Sequence, residues 1–222
     1  MYDFVNKKPN PLAGKCSHKC GYCYVTKMKA RYPALAEKYS GEPRVVPSVL
    51  LKKYKESDFV FVCDCNDLFA SDVPDEVINE ILSAYIDTPA QLFFQTKNPL
   101  RLCEFIDTIP KGSIICTTIE TNRFYSEKMG FTSLPQTRAF AMKKIDEAGF
   151  EIQVTIEPIM DFDLPDFVDL IRWCNPTQVN IGADSGNNHL PEPSKEKLLA
   201  LIDELQKFTT IARKTNLTRL IK

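Results

Sequence analysis

Short apolar runs alternate with amphipathic helical stretches along most of this chain, and this alternation restricts its possible folds more than any other feature. Such a pattern is typical of β/α units, in which parallel strands form a sheet and helices cover it. Apolar runs predict strands at 58–65, 91–97, 113–120, 151–159 and 178–184. The first of these is almost continuously apolar, as expected for a parallel strand that is buried on both faces.

The segments between these strands have the apolar periodicity of helices. We predict helices at about 26–39, 72–85, 99–108 and 137–148, and two more that begin at Pro165 and after the capping residue Ser194. Proline suits the first turn of a helix, and serine suits the position just before that turn.

A further short strand is expected just before Cys16, which raises the count to six β/α units. A closed barrel of this type has eight units. We therefore expect an α/β fold, a partial (β/α)6 TIM-like barrel of parallel strands that is open on one side. No linker divides the chain, so we expect a single domain over residues 1–222.

The composition indicates a globular protein of the cytoplasm. Hydrophobic residues make up 44% of the chain, and no apolar run approaches the roughly 20 residues that span a bilayer. The first residues lack the apolar stretch of a secretory signal. We therefore expect no membrane partner, and we expect the eight cysteines to be thiols or metal ligands rather than disulfides.

Charge is distributed unevenly, although the whole chain has a net charge of only −1. Residues 1–55 contain twelve basic and three acidic residues, a net charge of +9, and the remainder has a net charge of −10. This basic region can attract a polyanion such as nucleic acid, or it can offset the negative charge of a metal cluster. The alternative is an ordinary solvated surface.

Three cysteines near the start, Cys16, Cys20 and Cys23, form a C-x3-C-x2-C motif. A structural zinc site is closed by four protein ligands, whereas an iron-sulfur cluster held by three thiolates has one iron free for another ligand. The motif therefore favours a cluster with an open position. The competing interpretation is a structural zinc site made of the three cysteines and His18.

Polar side chains stand at the predicted carboxyl ends of the strands. In a barrel of β/α units these ends meet at one mouth, where functional residues collect. The positions are Cys65, Asn66, Asp67, Thr96, Lys97, Thr118, Glu120, Glu157, Asp184 and Ser185. Thr118 and Glu120 are two residues apart on one strand, so both face the same side of the sheet.

The cysteine motif, the aromatic Tyr22 just before its third cysteine, and the β/α units together resemble the radical S-adenosylmethionine (SAM) superfamily. More narrowly, the segments NPLAGKCSHKCGYCYV, CNDLFASDVPDE, QTKN, TTIETN and TIEPI, in this order, resemble a phage and prokaryotic family related to spore photoproduct lyase. The resemblance covers nearly the whole chain.

This resemblance implies a four-iron, four-sulfur (4Fe-4S) cluster on the three cysteines, with SAM bound to the fourth iron through its amino and carboxylate groups. Reduction of such a cluster cleaves SAM into methionine and a 5′-deoxyadenosyl radical, which abstracts hydrogen from a substrate. An electron donor of the flavodoxin or ferredoxin type is implied as a partner. The protein must hold SAM close to one substrate C–H bond.

The resemblance also assigns residues to SAM binding. Tyr22 is placed beside the adenine, and packing within its loop is an equal alternative. The superfamily commonly binds the SAM amino group with Gly-Gly-Glu after its second strand. This chain has Asp64 to Asp67 there, which leaves Asn66 and Asp67 as the candidates. Lys97 is placed near the SAM carboxylate, a role that its point charge suits, and the alternative is a surface lysine.

Residues on the later strands complete this assignment. Thr118 and Glu120 fall where the superfamily contacts the SAM ribose or carboxylate. Glu157 and Asp184 are candidates for contact with SAM or substrate. For these two residues, pairing of a buried carboxylate with a lysine of the barrel is an equal alternative.

Cys65 is a candidate hydrogen-atom donor. Spore photoproduct lyase uses a cysteine near this strand end to return a hydrogen atom to its product radical. In an ungapped alignment that cysteine falls on Asp64 of this chain, so the alternative for Cys65 is a small buried thiol.

Three functions are compatible with these features. The leading hypothesis is a radical SAM enzyme that acts on a nucleic-acid base or nucleotide by lyase, repair or modification chemistry, as the strand ends and the basic region suggest. A second is radical modification of a small metabolite or peptide, which the small size of the chain favours. A third, of another class, is a non-catalytic binding module stabilised by zinc or a cluster. The polar strand ends argue against this third function.

Overall fold

The computed structural model describes residues 2–222, and we number its strands and helices in chain order. The strands β1 to β8 are Leu12–Ala13, Arg44–Val45, Phe59–Val62, Gln91–Thr96, Ile114–Thr118, Glu151–Ile156, Gln178–Ile181 and Thr210–Arg213. The helices α1 to α10 are Tyr24–Arg31, Pro33–Lys38, Pro47–Leu50, Asp75–Ser83, Pro99–Leu102, Ser126–Met129, Pro135–Glu147, Leu164–Trp173, Lys195–Leu205 and Thr218–Ile221.

The main sheet has six parallel strands, which follow one another in chain order from β3 to β8. Its outer face packs against α4, α7, α8 and α9 in the largest apolar core of the molecule. Burial of this apolar surface is the main force that holds the sheet and helices together. The α/β fold predicted from the sequence, a partial TIM-like barrel with parallel strands, is confirmed.

Two of the predicted strand positions are corrected by the structure. The short strand before Cys16 is β1, which pairs antiparallel with β2 and lies outside the main sheet. The sixth strand of the main sheet is β8, where the sequence analysis predicted none. The four residues of β8, TIAR, are half-buried or exposed, so this strand lacks the apolar run that reveals its neighbours.

The N-terminal segment lies along the outer edge of β3. Lys7 forms a parallel bridge with Val60, and the N–H of Phe61 donates to the Lys7 carbonyl at 2.9 Å. The N–H of Cys63 donates to the Pro9 carbonyl, also at 2.9 Å. These bonds satisfy backbone groups that an edge strand leaves unpaired. They also fix the path of the chain into β1.

Each predicted helix is present with shifted bounds, but two of them differ in kind, and the short helices α3, α6 and α10 are not predicted. The helix predicted at 99–108 is limited to α5, which a 3-10 turn at Cys103–Phe105 follows. The predicted helix at 26–39 is two helices, α1 and α2, because Pro33 cannot continue a helix and biases Tyr32 to an extended conformation. Ser194 caps α9 as predicted, since its side chain accepts a hydrogen bond from the N–H of Lys197 at 3.3 Å. Within residues 2–222, no helix has the length and apolar character needed to cross a bilayer.

The inner face of the sheet changes from apolar to polar towards the carboxyl ends of the strands. At the amino ends, Phe61 and Phe93 pack around Tyr2, whose ring centre lies 5.1 Å from that of Phe93. Strand register places polar side chains in the rows that follow: Gln95, Cys116, Gln153 and Gln178, and then Thr118, Thr155 and Asn180. The inside of the barrel is therefore suited to a polar ligand at its carboxyl end.

Gly14, between β1 and the first cysteine, has a conformation that requires glycine. Its φ is +103°, and a Cβ at this position would lie 2.5 Å from the carbonyl oxygen of Glu42. Gly112 also has a positive φ, +78°, but nothing lies within 4 Å of its Cβ position. Comparison of the two glycines therefore separates backbone strain from steric clash.

We predict that Gly14→Ala lowers the free energy of unfolding much more than Gly112→Ala. The Gly112 variant carries only the strain of a positive φ, about 1 kcal/mol, whereas Gly14→Ala must also displace the backbone at Glu42. For Gly14→Ala we expect a loss of about 3 kcal/mol or more. Urea denaturation of both variants measures the difference. Equal losses would contradict the close approach of Gly14 and Glu42.

Candidate functional site

The loop between β1 and α1, residues 14–23, contains all three cysteines of the motif; we call it the cysteine loop. Cys16, Cys20 and Cys23 are partly exposed, and none forms a disulfide. The N–H of Cys23 donates to the carbonyl of Cys20 at 3.1 Å. The structure therefore presents the three predicted cluster ligands as free thiols in one short turn-rich loop.

Free thiolates are disfavoured in this loop. Burial, together with the charges of Asp67 and Cys20, raises the pKa of Cys16 to about 12, although backbone hydrogen bonds from His18 and Asp67 oppose the shift. Burial also raises the pKa of Cys20, against the opposing charge of Lys97. Bound metal deprotonates thiols directly. The thiols of Cys16 and Cys20 therefore keep their protons at neutral pH until a metal binds them.

The donor set fits the iron-sulfur cluster that the sequence predicts. The hydroxyl oxygen of Ser17, between the first two thiols, is buried and has no hydrogen-bond partner in the described chain, as expected where a bound group supplies one. Within residues 2–222, no three His, Cys, Asp or Glu side chains gather closely enough to hold a single ion. The thiolates of a four-iron cluster bind different iron atoms, so their sulfurs lie farther apart than the ligands of one ion.

A buried carboxylate ties the cysteine loop to the sheet. Nε2 of His18 lies 2.7 Å from Oδ2 of Asp67, so this ring nitrogen contacts a carboxylate rather than the thiols. Asp67 also accepts hydrogen bonds from the Thr96 hydroxyl at 2.8 Å and from the Lys97 N–H at 2.7 Å. Burial opposes ionisation of Asp67, but His18 and these hydrogen bonds outweigh it and lower the pKa. Asp67 thereby joins the loop to the ends of β3 and β4.

Asn66 also stabilises the backbone where the cysteine loop meets the end of β3. Its Nδ2 donates to the Gly14 carbonyl at 3.1 Å, and its Oδ1 accepts from the Asp67 N–H at 2.9 Å. The two residues predicted to contact the SAM amino group therefore lie beside the cysteine loop. Their polar atoms also fix the backbone there.

Tyr22, Lys97, Glu120 and Arg138 form a group beside the loop, which we call the Glu120 group. Nζ of Lys97 donates to Oε1 of Glu120 at 2.6 Å, and a guanidinium nitrogen of Arg138 donates to Oε2 at 2.8 Å. The Tyr22 hydroxyl also donates to Oε1, and Nζ of Lys97 lies 4.6 Å from the centre of the Tyr22 ring. The structure thereby brings together three residues that the sequence analysis assigned to SAM.

Glu120 is ionised in this group. Its side chain is fully buried, which opposes ionisation, but the charges of Arg138 and Lys97 outweigh burial and lower the pKa to about 2. Two cations and one anion leave the group with a net charge of +1. Such an excess of positive charge attracts anionic ligands.

Arg138 is a member of this group that the sequence analysis missed. It lies on α7 with no exposed surface, and it donates to the Thr118 carbonyl at 2.7 Å and the Ser133 carbonyl at 2.8 Å. In the sequence it looks like any arginine on a helix surface. Thr118, which the sequence did predict, turns its hydroxyl to the inner face, where it accepts from Gln95 at 3.0 Å.

Glu157 is paired with a lysine of the barrel, one of the two roles expected for it. Lys214, directly after β8, donates to Glu157, and Nδ2 of Asn216 donates to Oε1 at 3.0 Å. The carboxylate lies against Gly182, where a Cβ would be 2.6 Å from Oε1. The sequence analysis missed Lys214 and Asn216 because it did not predict β8.

Asp184 organises the loop that follows β7. Its carboxylate accepts hydrogen bonds from the Gly186 N–H at 2.9 Å and from Nδ2 of Asn188 at 2.6 Å. Burial opposes ionisation, but these bonds outweigh it and lower the pKa. The oxygens of Asp184 are therefore bonded within their own loop rather than to the Glu120 group.

Cys65 is the more accessible of the two cysteines near the end of β3. It is partly exposed, whereas Cys63 is buried. The Tyr24 hydroxyl lies 3.7 Å from its sulfur and also donates to the Asp64 carbonyl at 2.6 Å. Burial raises the pKa of Cys65, which keeps its hydrogen in place at neutral pH.

Radical SAM enzymes are among the solved structures that this fold matches. A spore photoproduct lyase mutant with bound AdoMet and dinucleoside spore photoproduct has a TM-score of 0.62 and 14% identity, over 94% of this chain and 63% of that one. A second mutant of the lyase has a TM-score of 0.68 and 13% identity, over 96% of this chain and 78% of that one. Streptococcus suis SuiB bound to its precursor peptide SuiA has a TM-score of 0.60 and 11% identity, over 96% of this chain and 50% of that one.

These likenesses, at low identity, establish that the chain has the radical SAM fold. The chain spans 63% of the first lyase structure and half of SuiB. Comparison with curated proteins gives no match. A family described as a protein of unknown function, DUF5131, matches residues 2–193, which is most of the chain. The chain therefore belongs to the DUF5131 family.

Proposed function

We propose that this chain is a radical SAM enzyme. The observation that carries the proposal is the position of three free thiols in one loop, beside the positively charged Glu120 group, on a sheet with the radical SAM fold. In this proposal Cys16, Cys20 and Cys23 hold a 4Fe-4S cluster, and a protein of the flavodoxin or ferredoxin type reduces it. When bound, the cluster supplies the electron that cleaves SAM.

The Glu120 group has the charge and the exposure to hold SAM. The Lys97 side chain is 17% exposed, whereas those of Glu120 and Arg138 are completely buried. Lys97 therefore presents the positive charge of the group and binds the SAM carboxylate. Glu120 holds Lys97 in position, and the Tyr22 ring offers a flat surface to the adenine.

The remaining predicted residues complete the proposed site. Asn66 and Asp67, beside the cysteine loop, are the proposed contacts of the SAM amino group, and Thr118 on the inner face is the proposed contact of the ribose. Glu157 and Asp184 follow the later strands and are the proposed contacts of SAM or substrate. Their bonds to Lys214 and to the loop after β7 hold them in place.

Cys65 is the proposed hydrogen-atom donor. Its sulfur is partly exposed at the end of β3, and its raised pKa keeps it as a thiol. A thiol can pass one hydrogen atom to a carbon-centred product radical, in which case a C–H bond forms, the S–H bond breaks, and a thiyl radical stays on the sulfur. A thiolate has no such hydrogen to give.

A nucleic-acid base or nucleotide is the proposed substrate. Three features support it: the solved lyase with a bound dinucleoside photoproduct, the +9 charge of residues 1–55, and the carboxamides on the inner face. Gln178 donates to Asn180 at 2.8 Å, and Asn180 donates to Gln153 at 3.3 Å. Each carboxamide offers both a donor and an acceptor, as the edge of a base does.

Peptide modification is the second candidate. The observation that favours it is the match to SuiB, whose solved structure holds its precursor peptide on a related fold. The two candidates differ in charge, because a polynucleotide requires a basic surface and a peptide does not.

Cysteine substitution tests the cluster and SAM cleavage. In anaerobically reconstituted protein with dithionite and SAM, we expect Cys20→Ala to abolish release of 5′-deoxyadenosine, at least 100-fold, because one cluster ligand is lost. Cys103→Ala is the matched control, since Cys103 is also partly exposed but lies beyond β4, away from the cysteine loop. Normal release by Cys20→Ala, or stoichiometric zinc and no release in the wild type, would refute the proposal.

A second substitution tests the SAM carboxylate site. Lys97→Met should weaken SAM binding roughly tenfold or more, since a hydrogen bond to a charged group contributes about 1.5–3 kcal/mol. The fold should persist, because Arg138 still neutralises Glu120. Calorimetric titration of SAM into the reconstituted variant measures the change, and Lys143→Met serves as the control, because Lys143 also pairs with a carboxylate, Asp146, but lies outside the Glu120 group. Unchanged affinity in Lys97→Met would exclude the residue from the SAM site.

Salt-dependent binding tests the nucleic-acid substrate. Lys52, Lys53 and Lys55 are exposed in the basic region. If they contact phosphates, replacing all three by Gln should weaken binding of single-stranded DNA or RNA and reduce the salt slope by about 2, since each phosphate contact on a single strand contributes about 0.7. Fluorescence anisotropy across a salt series measures both quantities.

Lys195 and Lys207 provide the control for this series, because both are lysines outside the basic region. Their replacement by Gln should leave the slope unchanged. An unchanged slope in the triple variant would remove that lysine cluster from the proposed interface.

A further inference from the structure

The cysteine loop shares its outer surface with residues 126–134. The N–H of Phe131 donates to the His18 carbonyl at 2.7 Å, and the N–H of Gly21 donates to the Lys128 carbonyl at 2.9 Å. These two bonds join the cysteine loop to residues 126–134, so a movement of one segment affects the other. We call the surface formed by residues 15–23 and 126–134 the loop face.

Phe131 is the exposed centre of the loop face. Its side chain is 76% exposed, compared with 58% for Trp173 and 50% for Phe140. Nζ of Lys19 lies 5.3 Å from the centre of its ring. Protein interfaces favour aromatic residues, which supply apolar area, and a charge beside such a ring can orient a partner of opposite charge.

Lys19 is held in a strained conformation. Its φ is +51°, in the left-handed region where glycine is unstrained and other residues carry a cost. Strain of this kind tends to collect at functional positions. A glycine would relieve the strain but remove the cation over Phe131. The presence of lysine here therefore calls for an explanation other than stability of the loop.

Charge indicates what kind of partner fits the loop face. Its two segments contain Lys15, Lys19 and Lys128 against one acidic residue, Glu127. A partner with an acidic rim around an apolar centre would complement both the lysines and the exposed ring. Electron transfer becomes slower as the donor moves away, so a partner that reduces a group in the cysteine loop must come close to this loop.

We propose that the loop face is the docking surface for an acidic one-electron carrier protein, with Phe131 at its centre and Lys19 as its orienting charge. This inference rests on the proposed function, because it requires a reducible cluster in the cysteine loop. It adds where the electron carrier docks and which surface charge the carrier must have. The carrier brings one electron, and the oxidised carrier then leaves.

The test compares two reductants on the same anaerobically reconstituted protein. One is a photoreduced acidic ferredoxin, which must dock, and the other is dithionite, which is small and needs no docking surface. We expect Lys19→Gly and Phe131→Ser each to slow cluster reduction by ferredoxin at least fivefold, and to leave the dithionite rate unchanged. The ferredoxin rate of the wild type should fall as salt is raised, since steering by charge is screened.

Phe140→Ser is the matched control, because Phe140 is also an exposed ring with a lysine, Lys144, 4.7 Å from its centre. It lies on α7, outside the loop face, so ferredoxin should reduce this variant at the wild-type rate. Equal ferredoxin rates in all variants, or a wild type that dithionite reduces and ferredoxin does not, would overturn the docking proposal. A wild type that assembles no cluster would instead refute the proposed function.

Discussion

Two cations share one buried carboxylate in this protein. The positive charge of the site depends on this excess of one cation over the anions. Glu120 binds both Arg138 and Lys97, although neither it nor Arg138 has any exposed surface. Removal of a charge from water costs several kcal/mol, and a close opposite charge offsets this cost. Arg138 compensates Glu120, so the charge of Lys97 is available to another group. This charge acts on the thiol of Cys20, whose pKa it lowers against the effect of burial, and in the proposed function it binds the SAM carboxylate.

Asp67 has a complementary role: it fixes the position of the cysteine loop, whereas the Glu120 group supplies positive charge. It accepts hydrogen bonds from the loop through His18, from the end of β4 through Thr96, and from the backbone of Lys97. The loop therefore cannot shift without the strand ends. Because Lys97 belongs to the Glu120 group as well, the two buried carboxylates connect the thiols and the cationic group into one rigid unit.

The predictable parts of this molecule are those whose signal is local in the sequence. Buried parallel strands are short apolar runs, so β3 to β7 are predictable from the sequence, whereas the half-buried β8 is not. The thiols were visible because three reactive residues lie within eight positions. Arg138 and Lys214 were not visible, because each is an ordinary cation until folding brings it to a carboxylate 18 or 57 residues away.

β8 and the turn after it lie beyond residue 193, where the match to the DUF5131 family ends. From this part of the chain, Lys214 and Asn216 reach Glu157, and Arg219 reaches Glu192, both of which lie within the matched segment. The partners of two carboxylates within the matched segment therefore come from outside it. A relative that differs only after this boundary would keep the thiols and the Glu120 group but lose the partners of Glu157 and Glu192. Under the proposed function, substrate selectivity can therefore change without any change to the residues that bind the cluster and SAM.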